Sequence, residues 1–389
     1  MKNIRLFKSL VCCLSVALAV IFCQPAALGE TVKSNTEAVA ASAQGGADEK
    51  SANLPAALLA KETLEALNMD VLWTREVGPS GKKPVQLVDG RLFFERSSLL
   101  SRRSSLHAVD AQSGDHLWVY PLNASLDFSL TSDGKVLYAL ASNTLHMVDL
   151  EKGVSIRKVT LPFPPSSPAS PEVRGIWIAS WDLNLYFVLS SGEVGRVIPM
   201  NAMISTAPLV VDSNRIIVGD EQGIVSGVAP IDREKISWQT NLRRPIRSTP
   251  VKKDNTAYVG CHDYRVHALD IDSGMVIWSA LFEGPVEGPL WLVGDILLVC
   301  ATGDRLAALD PRERAVLWSV RGGLYPVAVS NELTVVKTDR ELVAVDVMTG
   351  DVRWTHPASD IRSFAVNNTE PIIYAVPEKG GIVAISLPR

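Results

Sequence analysis

The sequence predicts an all-β fold in which one four-stranded unit is repeated eight times. Short segments of alternating apolar residues, such as LHAVD and VHALD, recur at offsets of 36 to 41 residues. The eight segments begin at Leu106, Leu145, Leu185, Val225, Val266, Leu306, Leu342 and Ile382. Each unit also carries an earlier pair of strand-like segments, for example LVVD and RIIVG, and one later strand. A period of about 40 residues with four strands per unit is typical of a β-propeller, so we expect eight blades.

The N-terminus has the features of an export signal. In residues 1–29, three basic residues precede an uncharged apolar stretch at 10–22, and small residues follow. This stretch is shorter than the ~20 residues that a membrane-spanning helix needs, so we expect a cleaved signal peptide. A retained membrane anchor and lipidation of Cys23 are the alternatives.

Three further segments follow the signal. Residues 30–52 are rich in Ala, Ser, Gly and Glu and have almost no large apolar side chain, which predicts a disordered linker. Residues 53–69 place four leucines on one helical stripe and predict a short amphipathic helix. Residues 70–389 hold the repeats and are expected to form the propeller.

The last repeat lacks a fourth strand of its own. Only seven residues follow Ile382, whereas VLWTREV, from Val71, resembles the fourth-strand segment VLWSV at 316–320. We therefore expect the strand with Trp73 to complete the eighth blade and close the ring.

The hairpin between the third and fourth strands has a motif of its own. Asp, Gly and Trp recur four residues apart, as in Asp110, Gly114 and Trp118. An Asp accepts bonds from turn amides, Gly supplies a positive φ, and Trp offers a flat apolar face to the next blade. The motif weakens in four units: Trp238 is displaced by one residue, Arg314 replaces Gly, and Arg157 and Val197 replace Trp.

These hairpins resemble the repeat of the quinoprotein-type, or PQQ-like, β-propeller family, whose pattern is AxDxxTGxxxW. HAVDAQSGDHLW, HALDIDSGMVIW and VAVDVMTGDVRW fit it closely, and the likeness extends over about 320 residues. With a signal peptide and a single ring, the chain is similar to the BamB family of outer-membrane-protein assembly factors. That resemblance implies an exported, non-catalytic scaffold in the periplasm or cell envelope. A quinoprotein-like oxidoreductase that binds PQQ is the alternative.

The sequence favours a protein that is not an enzyme and holds no cofactor. It has no phosphate-binding loop, no G-x-S-x-G elbow and no H-E-x-x-H motif. The quinone-dependent relatives use adjacent cysteines and a calcium site, whereas the exported chain keeps only Cys261 and Cys300. These two are one register position apart in neighbouring blades, so they are expected on opposite sheet faces and not in a disulfide. The formal net charge of -4, or -7 without the signal, favours no nucleic acid.

One cluster of metal-ligand residue types lies in the fifth unit. Cys261, His262, Asp263 and His267 suit zinc by type, but their spacing matches no closed zinc site. The sequence therefore favours a polar turn over a metal site.

Protein binding is the function that remains. In a four-stranded blade, the loop that enters the first strand and the loop that joins the second strand to the third lie at the same face of the ring. In units three to five this face gathers Trp181, Asp182, Arg243, Arg244, Arg247, His262, Asp263 and Tyr264. Aromatic residues and arginine are enriched in binding hot spots, so six of these are predicted to bind a partner. They are Trp181, Arg243, Arg244, Arg247, His262 and Tyr264. An ordinary solvated rim, with Trp181 packed down onto the protein, is the alternative.

Three arginines flank Pro245 in a chain of negative net charge. Because like charges repel, we expect either Asp182 and Asp263 as internal partners or an acidic segment of a binding protein. The predicted partners are cell-envelope proteins. The chain is predicted to be a monomer, and to associate with a membrane only through a partner or through an uncleaved or lipidated N-terminus.

Overall fold

A computed structural model describes residues 60–76, 84–97, 104–229, 236–302, 305–330, 332–378 and 381–387. The expected signal peptide at 1–29, the expected linker at 30–52 and the first part of the expected helix, 53–59, lie outside these ranges. One helix is described, α1 (Lys61–Ala66), and it lies within the expected range of 53–69. Its Leu64 and the following Met69 are buried against blades 7 and 8.

Eight four-stranded sheets follow the helix. Blade 1 contains β2 (Gln86–Val88), β3 (Arg91–Ser97), β4 (Ser104–Asp110) and β5 (His116–Leu122). Blade 2 contains β6 (Thr131–Ser132), β7 (Val136–Ala141), β8 (Thr144–Asp149) and β9 (Ser155–Thr160). Blade 3 contains β10 (Ser170–Glu172), β11 (Gly175–Ala179), β12 (Asn184–Leu189) and β13 (Val194–Pro199). Blade 4 contains β14 (Leu209–Asp212), β15 (Arg215–Gly219), β16 (Ile224–Val228) and β17 (Ile236–Asn241).

The second half repeats this arrangement. Blade 5 contains β18 (Val251–Lys253), β19 (Thr256–Cys261), β20 (Arg265–Asp270) and β21 (Val276–Leu281). Blade 6 contains β22 (Leu290–Val293), β23 (Ile296–Ala301), β24 (Arg305–Asp310) and β25 (Ala315–Arg321). Blade 7 contains β26 (Gly323–Val329), β27 (Leu333–Thr338), β28 (Glu341–Asp346) and β29 (Val352–Pro357). Blade 8 contains β30 (Ile361–Phe364), β31 (Ile372–Pro377), β32 (Ile382–Ser386) and the N-terminal strand β1 (Val71–Arg75).

The core is divided among the spaces between blades. Eight apolar clusters are present, and each joins two consecutive blades. Second and third strands are buried on both faces, as in β7 and β8, whereas the fourth strand β17 is half-buried and exposed in alternation. One cluster joins Leu92 and Val109 of blade 1 to Tyr374 and Ala384 of blade 8, so the ring is closed.

Strand β1 closes the ring as the sequence predicted. It pairs antiparallel with β32, with Trp73 opposite Ala384. The Trp73 indole then reaches across to blade 1, where Nε1 donates to the Ala111 carbonyl at 3.0 Å. The sheet closure and the contact between blades therefore depend on the same N-terminal segment.

The tryptophans of the motif lie against the next blade. The Trp118 Nε1 donates to the Leu150 carbonyl of blade 2 at 3.1 Å, and Gly153 of that blade lies against the indole face. The same arrangement joins Trp238 to blade 5 and Trp318 to blade 7. The glycine is needed both for its positive φ and because a Cβ at Gly153 would lie 2.3 Å from the Trp118 ring.

Register identifies which residues replace tryptophan. Six tryptophans lie opposite Ala or Gly in the third strand, namely Trp73, Trp118, Trp238, Trp278, Trp318 and Trp354. In blade 2 the equivalent residue is Arg157, opposite Met147, as expected. In blade 3 it is Arg196, opposite Phe187, so the expectation that Val197 takes this place is wrong by one residue. The blade 3 turn is shorter, because its Gly192 follows the last strand residue by three positions and not four.

The two other departures leave the sheet unchanged. Trp238 lies opposite Gly227 as Trp118 lies opposite Ala108, so its displacement in sequence does not move it in the sheet. Arg314 adopts a φ of 57°, the left-handed conformation of the glycine it replaces.

Candidate binding surface on the loops of blades 3 to 5

The candidate surface comprises the turns 181–183, 221–223 and 262–264 and the connection 243–247. In antiparallel blades, each turn between the second and third strands lies beside the connection that enters the first strand. Backbone amides join the two: Trp181 donates to Pro164, Glu221 to Met203 and His262 to Pro245, at 3.0 to 3.1 Å. Trp181, Glu221 and His262 therefore occupy equivalent positions in blades 3, 4 and 5.

Bulky side chains occupy left-handed backbone positions on this surface. Gly223 in blade 4 has a φ of 86°, and the equivalent residues are Leu183 at 65° and Tyr264 at 72°. Arg243 has a φ of 68°. Such a conformation costs an L-residue roughly 1–2 kcal/mol, and it is concentrated at functional sites.

Two aromatic rings of the surface are open to solvent. The exposed fractions are 61% for Trp181 and 46% for Tyr264. The expectation that Trp181 is available for contact therefore agrees with its geometry, whereas a packed-down ring does not.

Arg247 is paired within the molecule, but not with the expected acids. It lies 3.0 Å from Glu221 and 3.8 Å from Glu287. The Glu287 carboxylate also lies 2.7 Å from His262 Nε2, an atom without a hydrogen bond among the described residues, and this contact is an ion pair only when His262 is protonated. Sequence reasoning missed both glutamates, although Glu221 could have been found because it occupies the same repeat position as Trp181 and His262.

The two acids expected as internal partners bind other groups, so the expectation that Asp182 and Asp263 pair with the arginines is wrong. Asp182 accepts the Tyr186 hydroxyl at 2.7 Å. Burial opposes ionisation of Asp182, but the hydrogen bonds, that of Tyr186 foremost, outweigh it and lower its pKa. The Tyr186 pKa rises to about 12 through burial and this same bond. Asp263 instead lies 2.9 Å from His267 Nε2.

Arg243 and Arg244 remain exposed cations. No carboxylate of the described ranges lies within ion-pair distance of either guanidinium. The Arg243 amide donates to the Asn241 side chain at 2.8 Å, and the Arg244 carbonyl accepts the Cys261 thiol at 3.3 Å. The loop backbone is therefore anchored while both charged groups face solvent.

Three of the four metal-type residues come together beneath this surface. Donor atoms of Cys261, Asp263 and His267 all lie within 4.8 Å of one another, whereas His262 turns to Glu287. Burial, with a smaller contribution from Asp263, raises the Cys261 pKa to about 12. Cys261 and Cys300 are not joined in a disulfide.

Fold and repeat together define an eight-bladed β-propeller of PQQ-like units. A family model described as "Outer membrane protein assembly factor BamB" matches residues 221–388. The BamB of Yersinia pestis is 20% identical over 205 residues, which cover 48% of this chain and 51% of that protein. The chain thus spans about half the length of this curated relative. The chain is therefore similar to BamB over about half of its length.

Solved structures agree on the fold. The BamB of Moraxella catarrhalis has a TM-score of 0.64 at 14% identity and covers 82% of this chain and 97% of its own. The computationally designed Ika8 protein scores 0.64 at 14% identity, and the C-terminal WD40 domain of Sif2 scores 0.63 at 12%; each covers 82% of this chain and 99% of its own. Because a designed protein and a WD40 domain match as well as BamB does, the structural likeness shows the fold and not a particular function. Within the described part of the chain, no helix has the length and hydropathy that crossing a bilayer requires.

Proposed function

We propose that this protein is an exported, non-catalytic scaffold that binds cell-envelope proteins during outer-membrane protein assembly. The observation that carries this proposal is the BamB family match over residues 221–388, together with the BamB relative. A propeller suits this work because its blades hold several loops rigidly at one face. The N-terminal sequence, with its basic residues before a short apolar stretch, supports export to the periplasm.

The surface that we assign to binding centres on Trp181, Tyr264, Arg243 and Arg244. Its two exposed rings supply apolar contact area. Its two exposed guanidinium groups have no ion-pair partner among the described residues, which favours an acidic segment of the partner. Arg247 and His262 belong to the surface in a supporting role, because Glu221 holds the Arg247 guanidinium and the His262 amide ties its turn to Pro245. This assignment keeps all six predicted residues but separates those that meet the partner from those that shape the loops.

The first experiment compares three forms of the exported chain in capturing envelope proteins. The surface variant carries Trp181→Ala, Arg243→Ser and Arg244→Ser. The control carries Lys152→Ser, Met275→Ser and Met348→Ser, which are exposed residues of the hairpins at the opposite face. We expect an outer-membrane assembly component to be captured by the parent and the control but not by the surface variant. Equal capture by all three would remove the surface from the proposal.

A genetic experiment tests the function apart from the surface. Removal of the gene from the source organism is expected to lower the amount of folded protein in its outer membrane, and the parent chain is expected to restore it. Unchanged outer-membrane protein levels would overturn the role in assembly even if the surface binds a protein.

The non-catalytic part of the proposal has its own test. Adding PQQ and calcium to the purified chain is expected to give no dye-linked alcohol oxidation. Turnover that depends on both additions would establish the quinoprotein alternative.

A further inference from the structure

Three metal-ligand donors converge where blade 5 turns from its second to its third strand. Cys261 ends β19, Asp263 lies in the turn and His267 lies in β20. Val259 pairs with His267 and Cys261 with Arg265, and side chains two apart in a strand share a face, so Cys261 and His267 point to the same side. The Cys261 sulfur, an Asp263 carboxylate oxygen and the His267 imidazole lie within 4.8 Å of one another. We propose that these three residues form a zinc site.

The donor types and their number fit zinc. Thiolate, imidazole and carboxylate are its usual protein ligands, and three of them leave a fourth tetrahedral position for water. Zinc bonds of ~2.0–2.3 Å place donors roughly 3.3–3.8 Å apart, so the widest pair must close by about 1 Å. Asp263 already lies 2.9 Å from His267 Nε2, so the movement that zinc requires is chiefly an approach of the Cys261 sulfur to these two donors.

Charge balance also favours a divalent cation at this place. A thiolate, a carboxylate and a neutral imidazole carry two negative charges, which Zn²⁺ cancels. The Cys261 side chain is fully buried and that of His267 is 9% exposed, so an uncompensated charge would be unfavourable there. In the metal-free protein the thiol keeps its proton. Binding forms a zinc–sulfur bond and releases that proton to solvent, so affinity rises with pH.

Neighbouring groups already orient two of the ligands. The other imidazole nitrogen of His267, Nδ1, lies 2.8 Å from the Ser279 hydroxyl on β21. In the metal-free protein Nε2 donates its proton to the Asp263 carboxylate at 2.9 Å. In the zinc-bound protein the imidazole proton lies on Nδ1 and is donated to Ser279, so the Nε2 lone pair faces the ion, which is the arrangement found around metal-bound histidines. The second Asp263 oxygen accepts the Arg265 amide at 3.1 Å. Asp263 is also 22% exposed, which gives an ion a path from solvent.

The same strand position in other blades lacks this combination. His107 and His146 occupy it in blades 1 and 2. The His107 imidazole contacts Ser105 and His116, and the His146 imidazole contacts Tyr120. The blade 5 turn alone brings a thiol and a carboxylate to the histidine among the described residues. The site is therefore a feature of this blade and not of the repeat.

The test uses the purified exported chain, reduced and stripped of metal, and requires no partner protein. Its result is therefore independent of the proposed assembly role. Cobalt is the probe, because a cobalt–thiolate bond gives an intense near-ultraviolet band, and zinc is then added in competition. We expect one equivalent of Co²⁺ to bind with this band, zinc to displace it, and each equivalent bound to release the thiol proton.

Variants identify the ligands. Cys261→Ser is expected to abolish the band, and His267→Asn to weaken binding at least tenfold. Cys300→Ser and His262→Asn are matched controls, which are expected to leave band and affinity unchanged. Asp263→Asn alters only a turn residue, so it provides a folded test if Cys261→Ser does not fold; it should keep the band but bind at least tenfold more weakly. Absence of stoichiometric binding, or equal binding by the ligand and control variants, would overturn the zinc site.

Discussion

The contact between a hairpin glycine and the neighbouring tryptophan can be separated from the backbone requirement at the same glycine. Gly153 and Gly90 have nearly the same φ, 66° and 69°. A Cβ at Gly153 would lie 2.3 Å from the Trp118 ring, whereas a Cβ at Gly90 would meet nothing within 4 Å. Gly153→Ala therefore introduces strain and a clash, and Gly90→Ala introduces strain only.

The magnitudes follow from these distances. An alanine in the left-handed conformation costs roughly 1–2 kcal/mol, which both variants share. Carbon atoms in contact lie ~3.5–4.0 Å apart, so the Trp118 ring must move by more than about 1 Å. Overpacking of this kind costs roughly 1–3 kcal/mol, and displacing the ring also weakens its 3.1 Å bond to Leu150, worth about 1 kcal/mol. We expect Gly153→Ala to lower the free energy of unfolding by about 2–4 kcal/mol more than Gly90→Ala.

Urea unfolding followed by far-ultraviolet circular dichroism measures this difference. In a Trp118→Ala background the clash is absent, so Gly153→Ala should there cost no more than Gly90→Ala. Equal midpoints for the two single variants, or the same extra cost with and without Trp118, would refute the role of the indole contact.

Three further predictions concern closure, strain and pH. A chain that starts at residue 79 lacks β1, so blade 8 exposes an unpaired strand edge. Calorimetry should then show a lower melting temperature, and light scattering should show aggregation that increases with protein concentration. A monomer with the parental melting temperature would contradict this prediction. Tyr264→Gly should have a higher urea midpoint than Tyr264→Ala, because only glycine relieves the strain at a φ of 72°. The free energies of unfolding should differ by up to about 1 kcal/mol, and the opposite order would show that the turn is unstrained. Burial, aided by Arg96 at His107 and by Lys158 at His146, lowers the pKa of each from 6.5 to about 4. Between pH 6.5 and 4 the unfolded chain therefore binds more protons than the folded chain, so the free energy of unfolding should fall as the pH is lowered over this range. His146→Phe removes one of the two groups, so the urea midpoint of this variant should depend less on pH than that of the parent; an equal dependence would contradict the role of His146.

The repeat and its closure could be predicted from the sequence because they depend on local patterns. Alternating apolar residues at a period of about 40 identify the strands wherever the chain places them. Likewise, the segment from Val71 carries the tryptophan of a fourth strand, and this predicts its pairing with β32 before any contact is known. The replacement of tryptophan in blade 3 was missed by one residue, since a shorter turn changes the register without changing the composition.

Partners of individual charges were decided by the tertiary structure. Arg247 lies beside Glu221, from a turn of blade 4, and Glu287, from the connection that enters blade 6, so no spacing along the chain could select them over Asp182 and Asp263. The convergence of Cys261, Asp263 and His267 likewise depends on which sheet face each side chain takes after a turn. The sequence alone determined the fold and the number of blades, and it predicted which loops share one face of the ring. Ion pairs and metal donors depend on distances of a few ångströms between separate segments, and those distances exist only once the blades are packed.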